Sequence, residues 1–224
     1  MFEKDSIIEI LKTKSANKQK VYRQTYTIFK DLCKLLKDKV DYLSGHMKEF
    51  DDSIELGYVE EGDFESHIFF SGDRLIFHMH TNVFDFPKSH SINKTQYVKE
   101  DNSRSFCGVI NIYNFLNDSF NYNRMNDVGN LIARIYINKD LHFFVEGEKK
   151  LGFLFSDFEK QKLNSDSLIK IVDCSILFAL DFDLITPKYE DVKFVTLHQI
   201  LNMKNSHKLR TSKSLGFKFS YENK

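Results

Sequence analysis

Three histidines and a glutamate lie within one short stretch, Glu65 through His80, on either side of the turn-forming run Ser71-Gly72-Asp73. Imidazole nitrogens and carboxylate oxygens are the donors that hold Zn²⁺ or a related divalent ion. Such an ion turns bound water into a nucleophile near neutral pH. A two-residue loop at Gly72-Asp73 opposes Ser71 to Arg74, Phe69 to Ile76, His67 to His78 and Glu65 to His80. Side chains alternate along a strand, so all of these share one face. The opposite face then carries Ile68, Phe70, Leu75, Phe77, Met79 and Val83, an apolar set suited to a core. Opposed residues lie about 5 Å apart and next-but-one neighbours about 7 Å apart, within reach of a shared ion. On this expectation His67, His78 and His80 are metal ligands, and Glu65 is a ligand, a general base or the acceptor that orients a ring. The competing reading takes the same residues as the wet face of a half-buried hairpin, which needs no ion. A three-residue loop with a bulge at Asp73 would instead send His67 to the face opposite His78 and His80.

Other constellations are weaker. Gly147-Glu-Lys-Lys-Leu-Gly152 has the outer spacing of a phosphate-binding loop but is followed by Phe153-Leu154 where Lys and Ser or Thr belong, which argues against nucleotide hydrolysis. Ser167-Leu-Ile-Lys170 is formally Ser-x-x-Lys, yet it sits in an apolar helical pattern and reads as structural. Asp140 with Glu148-Lys149-Lys150 has the charge spacing of a Mg²⁺-dependent nuclease, provided both acids come within about 4–5 Å of one ion. Cys33, Cys107 and Cys174 are odd in number, far apart and flanked by apolar residues, the pattern of reduced packing thiols.

Two periodicities must position these groups. From 17 to 43, Tyr22, Tyr26, Phe29, Leu32, Cys33, Leu36, Val40 and Leu43 recur at three- and four-residue intervals with lysines between them, predicting a long amphipathic helix. Ile28 and Leu35 widen its stripe beyond a coiled-coil seam, which suits packing on a sheet. A shorter helix over 2–14 precedes it, with a break near 15–17. Strand patterns follow at 54–59, 64–71, 74–84, 106–113, 131–138 and 141–146. The brief links at Glu61-Gly62, Gly72-Asp73 and Lys139-Asp140 imply antiparallel hairpins. The polar stretch 85–104 reads as a long loop of the kind that carries function, and 117–127 as irregular. Ser165 or Asp166 caps a buried helix to 182. A strand at 192–197, a short helix at 198–204, a basic loop at 205–214 and a last strand at 215–221 complete the reading.

The fold class predicted is therefore α+β: a mainly antiparallel sheet of about five to seven strands, packed by the long N-terminal amphipathic helix and the helix near 165–182. We read 1–224 as a single domain with a helical segment 1–47, an antiparallel β region 53–147 and mixed elements over 165–224. The uncovered sheet face, the 85–104 loop and Tyr58, Tyr113 or Tyr136 are expected to line a pocket.

Formal net charge is zero, but nine Lys and Arg between Lys12 and Lys39 face only Asp31 and Asp38, and six from Asn202 onward face only Glu222. Segregated charge of this kind solvates helix faces or steers an acidic partner. The N-terminus lacks a basic segment followed by an apolar run, and the most apolar later stretch is broken by Lys170, Asp173, Asp181 and Asp183, so the chain reads as cytoplasmic with no membrane segment. With no complete catalytic set in the sequence, the leading expectation is a non-enzymatic binding or protein-interaction module without a dedicated cofactor, self-associating through the N-terminal helix. A metal-dependent, hydrolase-like enzyme using His67, His78, His80 and Glu65, with zinc or another divalent metal, is the first alternative. Nucleic-acid binding through the basic ends is the second.

Overall fold

In a computed structural model, which describes residues 2–200, the chain begins with one uninterrupted helical rod. Helix α1 (Phe2–Ile10) passes through a π-helical turn (Leu11–Ser15) into α2 (Ala16–Phe50). The break expected near 15–17 is absent, because Ser15 (φ −70°) and Ala16 (φ −61°) both adopt helical backbone. Neither Pro nor Gly stands there, and continuing the rod avoids two sets of unsatisfied backbone groups. Residues 3–14 are exposed almost throughout, so the start of the rod is an arm bearing Ile7, Ile8, Ile10 and Leu11 on its surface.

Beyond the arm the rod is packed internally. Val21, Thr25, Phe29, Leu32, Cys33, Leu36 and Val40 are buried, following the helical period seen in the sequence. The rod crosses the sheet at Gly108, where an added Cβ would stand 2.1 Å from Thr25 Oγ1. Thr25 is itself fully buried and donates to the Val21 carbonyl at 2.9 Å. Glycine is thus needed at 108 for close approach.

Six strands form one antiparallel sheet in sequence order: β1 (Leu56–Glu60), β2 (Glu65–Phe70), β3 (Asp73–Met79), β4 (Cys107–Leu116), β5 (Asn130–Asn138) and β6 (Phe143–Gly147). The α+β class and the strand number agree with the sequence reading, although β3 stops at Met79 and β4 runs on to Leu116. Ile68, Leu75, Phe77, Ile110, Ile112, Ile135 and Ile137 face α2 and α6 (Ser165–Leu180) in the main core. Asn164 caps α6 by accepting from Ser167 N at 2.8 Å, one residue before the caps expected at Ser165 or Asp166. Lys39 ties α2 to α6 through Asp173 at 2.7 Å.

The hairpin turn falls at Ser71-Gly72 instead of Gly72-Asp73. Ser71 takes a left-handed backbone (φ 52°), and β2 and β3 pair Glu65 with His78, His67 with Ile76 and Phe70 with Asp73. A register shift of two residues leaves every side chain on its original face, so hydrophobic alternation is blind to it. The turn and the pairing of β3 with β4, with Asp73 opposite Leu116 and His78 opposite Asn111, decide the matter.

The sheet's second face is not left open as expected. The 85–104 stretch folds into short helical turns, Ser91–Lys94, α3 (Gln96–Glu100) and Asn102–Ser105, which cover one end of it. Ile92 and Val98 from this stretch pack with Cys107, Val109, Tyr136, Phe144 and Phe158 in a second core. At the hairpin end α4 (Asn117–Asn121), within a region read as irregular, sets Phe120 against His67 and Phe115. After α5 (Lys150–Leu154), α6 and the short α7 (Tyr189–Val192), residues 193–196 form no strand, and a helical turn begins at 197. The expected loop 205–214 and strand 215–221 lie outside the described residues. No helix among the described residues is long and apolar enough to cross a membrane.

Candidate functional site

The hairpin keeps its histidines on the predicted face but does not set His67 opposite His78. Glu65 and His67 meet, Oε1 to Nε2 at 2.9 Å, and Glu65 lies across from His78 on β3. His67 is almost wholly buried, edge-on to Phe120 at 5.5 Å between ring centres, and its Nδ1 has no hydrogen-bond partner. His80 lies past the end of β3, accepts from Asn82 N at 3.0 Å and packs on Phe84. Among the described residues, no group of three or more His, Cys, Asp or Glu side chains is arranged to hold a metal ion. Of the tyrosines expected around a pocket, Tyr58 joins the helix-facing core and Tyr136 lies under Phe86 and Phe144, while Tyr113 stays half-exposed opposite Ile76. Asp140 and Glu148 lie beyond opposite ends of β6, about 16 Å or more apart along the strand, so they do not meet as the nuclease spacing requires.

A different constellation gathers where β5 turns into β6. The turn is Lys139-Asp140-Leu141, with Leu141 left-handed (φ 62°), the pattern of a three-residue hairpin loop. Asn138 organises it. Its side chain is fully buried, its Oδ1 accepts from Asp140 N at 2.9 Å and His142 N at 3.0 Å, and its Nδ2 donates to Tyr97 Oη at 3.1 Å and the Arg104 carbonyl at 3.2 Å. One amide thereby fixes both the turn and the 97–104 segment against it. A buried polar group so fully paired also specifies the geometry around it.

Around that amide lie two adjoining hollows that share Lys139. The smaller, about 440 Å³, is lined by Lys20, Gln24, Tyr97, Arg104, Lys139, Asp140, Leu141, His142 and Lys162. The larger, about 860 Å³, lies between the start of the rod and the 85–106 stretch. Its walls include Thr13, Lys14, Asn17, Asp85, Phe86, Lys88, Asn93, Asn102, Ser103, Ser105 and Phe106. Both volumes fall in the range of small-molecule sites.

Within the smaller hollow the groups brace one another. Arg104 lies 4.3 Å over the Tyr97 ring, donates to the Tyr97 carbonyl at 2.8 Å and pairs with Asp140 at 3.5 Å. Burial, followed by the neighbouring Asp140 charge, pushes the Tyr97 hydroxyl up to about 12, so it stays a neutral donor to Asp140. His142 stacks on Tyr97 at 4.3 Å, with its Nδ1 3.1 Å from the Phe158 carbonyl. A carbonyl only accepts, so Nδ1 carries the proton and Nε2, in the neutral ring, keeps the lone pair. Lys162 is brought beside His142 by an isolated antiparallel bridge. Lys139 donates to Asp101 and to Ser103 Oγ, and its bond to Asp101, followed by the bond Ser103 Oγ donates to the same carboxyl, holds Asp101 down to about 2.

Six cations, Lys14, Lys20, Lys88, Arg104, Lys139 and Lys162, therefore line the paired hollows against two acids, Asp85 and Asp140. Asp101 and Glu100 neutralise Lys139 and Arg104 from just outside, and the balance is still positive. Three of the lysines come from residues far apart in sequence, so no local motif announces the cleft; the signals present were the basic start of α2 and the polar 85–104 stretch. Comparison of the chain with protein-family models, curated proteins and solved structures returns no match.

Proposed function

We propose that the chain is a non-enzymatic binding module that holds a phosphate-bearing anion in the cleft beside the Lys139-Asp140-Leu141 turn. The observation that carries this reading is the convergence of six side-chain cations on two adjoining hollows with only two acids among them. Both acids already have local donors: Asp85 takes Ser105 Oγ at 2.7 Å and Phe86 N at 2.9 Å, and Asp140 takes Tyr97 Oη at 3.3 Å. The remaining cations suit a group that accepts hydrogen bonds on several oxygens and carries up to two negative charges, as phosphate does. Such a ligand stabilises the folded state by RT ln(1 + [L]/Kd), about 2.7 kcal/mol at a hundredfold excess over Kd, or a rise in Tm of roughly 5–10 °C for a chain of this size. Thermal unfolding with sodium phosphate, against sodium chloride of equal ionic strength, tests it. A Tm that follows ionic strength alone overturns the reading.

A second reading rests on the arm. Ile7, Ile8, Ile10 and Leu11 are 47–56% exposed on a helix stretch that nothing else in the described chain covers. An aliphatic stripe is the usual partner-facing side of a helix. On this reading a second copy of the chain covers the stripe. Sedimentation of the intact protein should show dimer that Ile7→Asp with Leu11→Asp converts to monomer. A wild-type monomer at high concentration removes the idea.

A further inference from the structure

Resting on the phosphate reading above, we infer that the ligand is a phosphorylated sugar, free or as part of a nucleotide, with its phosphate in the smaller hollow and its hydroxylated body in the larger. The two hollows differ in hydrogen-bonding chemistry. The smaller presents cationic donors from Lys20, Arg104, Lys139 and Lys162. The larger carries Lys14, Lys88 and Lys139 as well, and adds acceptors to them. Asn17 Nδ2 is committed to the Ser103 carbonyl at 3.1 Å, and Asn93 Nδ2 to the Pro87 carbonyl at 2.9 Å. Because a carbonyl can only accept, the nitrogen of each amide must point to it, which leaves Oδ1 of both asparagines as acceptors in the hollow they line. Asp85 adds a carboxylate to the same wall.

Phosphate oxygens cannot donate to such acceptors once ionised, whereas sugar hydroxyls can. Phe86 also lines this hollow, and an aromatic side chain suits the C–H face of a sugar ring. Lys139 lines both hollows and so marks the junction where the ester oxygen would pass. A bare inorganic anion would engage the cations and leave the acceptors of the larger hollow to water. A plain polyhydroxylated compound would leave the cations unused.

Isothermal titration of the intact protein at fixed ionic strength with inorganic phosphate, ribose 5-phosphate, AMP and ribose separates these cases. Ribose 5-phosphate should bind at least tenfold more tightly than inorganic phosphate, with ribose alone too weak to measure. AMP matching ribose 5-phosphate assigns a free sugar phosphate, and AMP binding more tightly assigns a nucleotide; both support the class. Asn17→Leu should remove the advantage of ribose 5-phosphate over phosphate while leaving phosphate affinity unchanged. Lys162→Gln, at an exposed side chain, should weaken both ligands several-fold, with the distant Lys37→Gln as a control that changes neither. Phosphate binding with no gain for ribose 5-phosphate overturns this inference and leaves the anion site standing; no binding of either overturns both.

Discussion

Replacing Lys139 with methionine removes the cation shared by both hollows and the largest influence on Asp101. The Asp101 carboxyl lies at about 2 in the folded chain against an ordinary value of 3.8. At about 1.36 kcal/mol per pH unit, that depression corresponds to roughly 2.5 kcal/mol as a ceiling. Asp101 is 37% exposed and keeps its bonds to Ser103, so solvent screening and the surviving partners bring the expected loss to about 1 kcal/mol. The sign follows from the direction of the shift. A carboxyl lowered on folding contributes stability above about 3.8, and that contribution fades as pH falls through about 2. Urea unfolding of wild type and Lys139→Met should therefore differ by about 1 kcal/mol at pH 6–7, equivalent to roughly 2–4 °C in Tm, with the gap closing toward pH 2. Lys139→Arg should retain most of the stability. A gap that is the same at pH 7 and pH 2.5 would mean that Lys139 acts by packing its stem, and the electrostatic account would be wrong.

Three further outcomes follow from particular contacts. Gly108→Ala places a Cβ 2.1 Å from Thr25 Oγ1 and should destabilise by about 1–3 kcal/mol in chemical denaturation; a neutral result would show that α2 slides freely over the sheet. Asn164→Ala deletes the α6 cap to Ser167 N and should cost about 1 kcal/mol, read as a lowered urea midpoint with unchanged m value. His67→Leu removes a buried ring whose Nδ1 is unpaired and leaves Glu65, 36% exposed, to water, so its cost should stay below about 1 kcal/mol. A loss of several kcal/mol, together with a Tm that Zn²⁺ raises in wild type but not in His67→Leu, would restore the histidine face as a metal centre.

Local repetition in the sequence was enough to assign the α+β class. The three- and four-residue recurrence through Phe29, Leu32, Leu36 and Val40, and the alternation of Ile68 and Phe70 against His67 and Phe69, arise from side-chain directions set within a single helix or strand. Those periods also separated the polar from the apolar face of the hairpin, and that separation survives the two-residue correction in register. Register itself was not legible, because faces repeat every two residues while the choice of pairing partner belongs to the turn at Ser71-Gly72 and to the neighbouring strand β4. The 85–104 stretch misled for a related reason. Its few apolar residues, Phe86, Ile92, Tyr97 and Val98, are too sparse to show a period, yet they suffice to cap a sheet end already supplied with Tyr136 and Phe144. The cleft was only hinted at in the sequence, by the basic start of α2 and the polar 85–104 stretch. Lys14, Arg104, Lys139 and Lys162 come to line adjoining hollows because Asn138 holds a turn from the sheet against the 97–104 segment and the rod passes beside both. Sequence alone determined which surfaces each element would bury, a property of the element's own geometry. Which distant charges would share one hollow was decided by the tertiary fold, through a buried amide whose partners lie on separate segments.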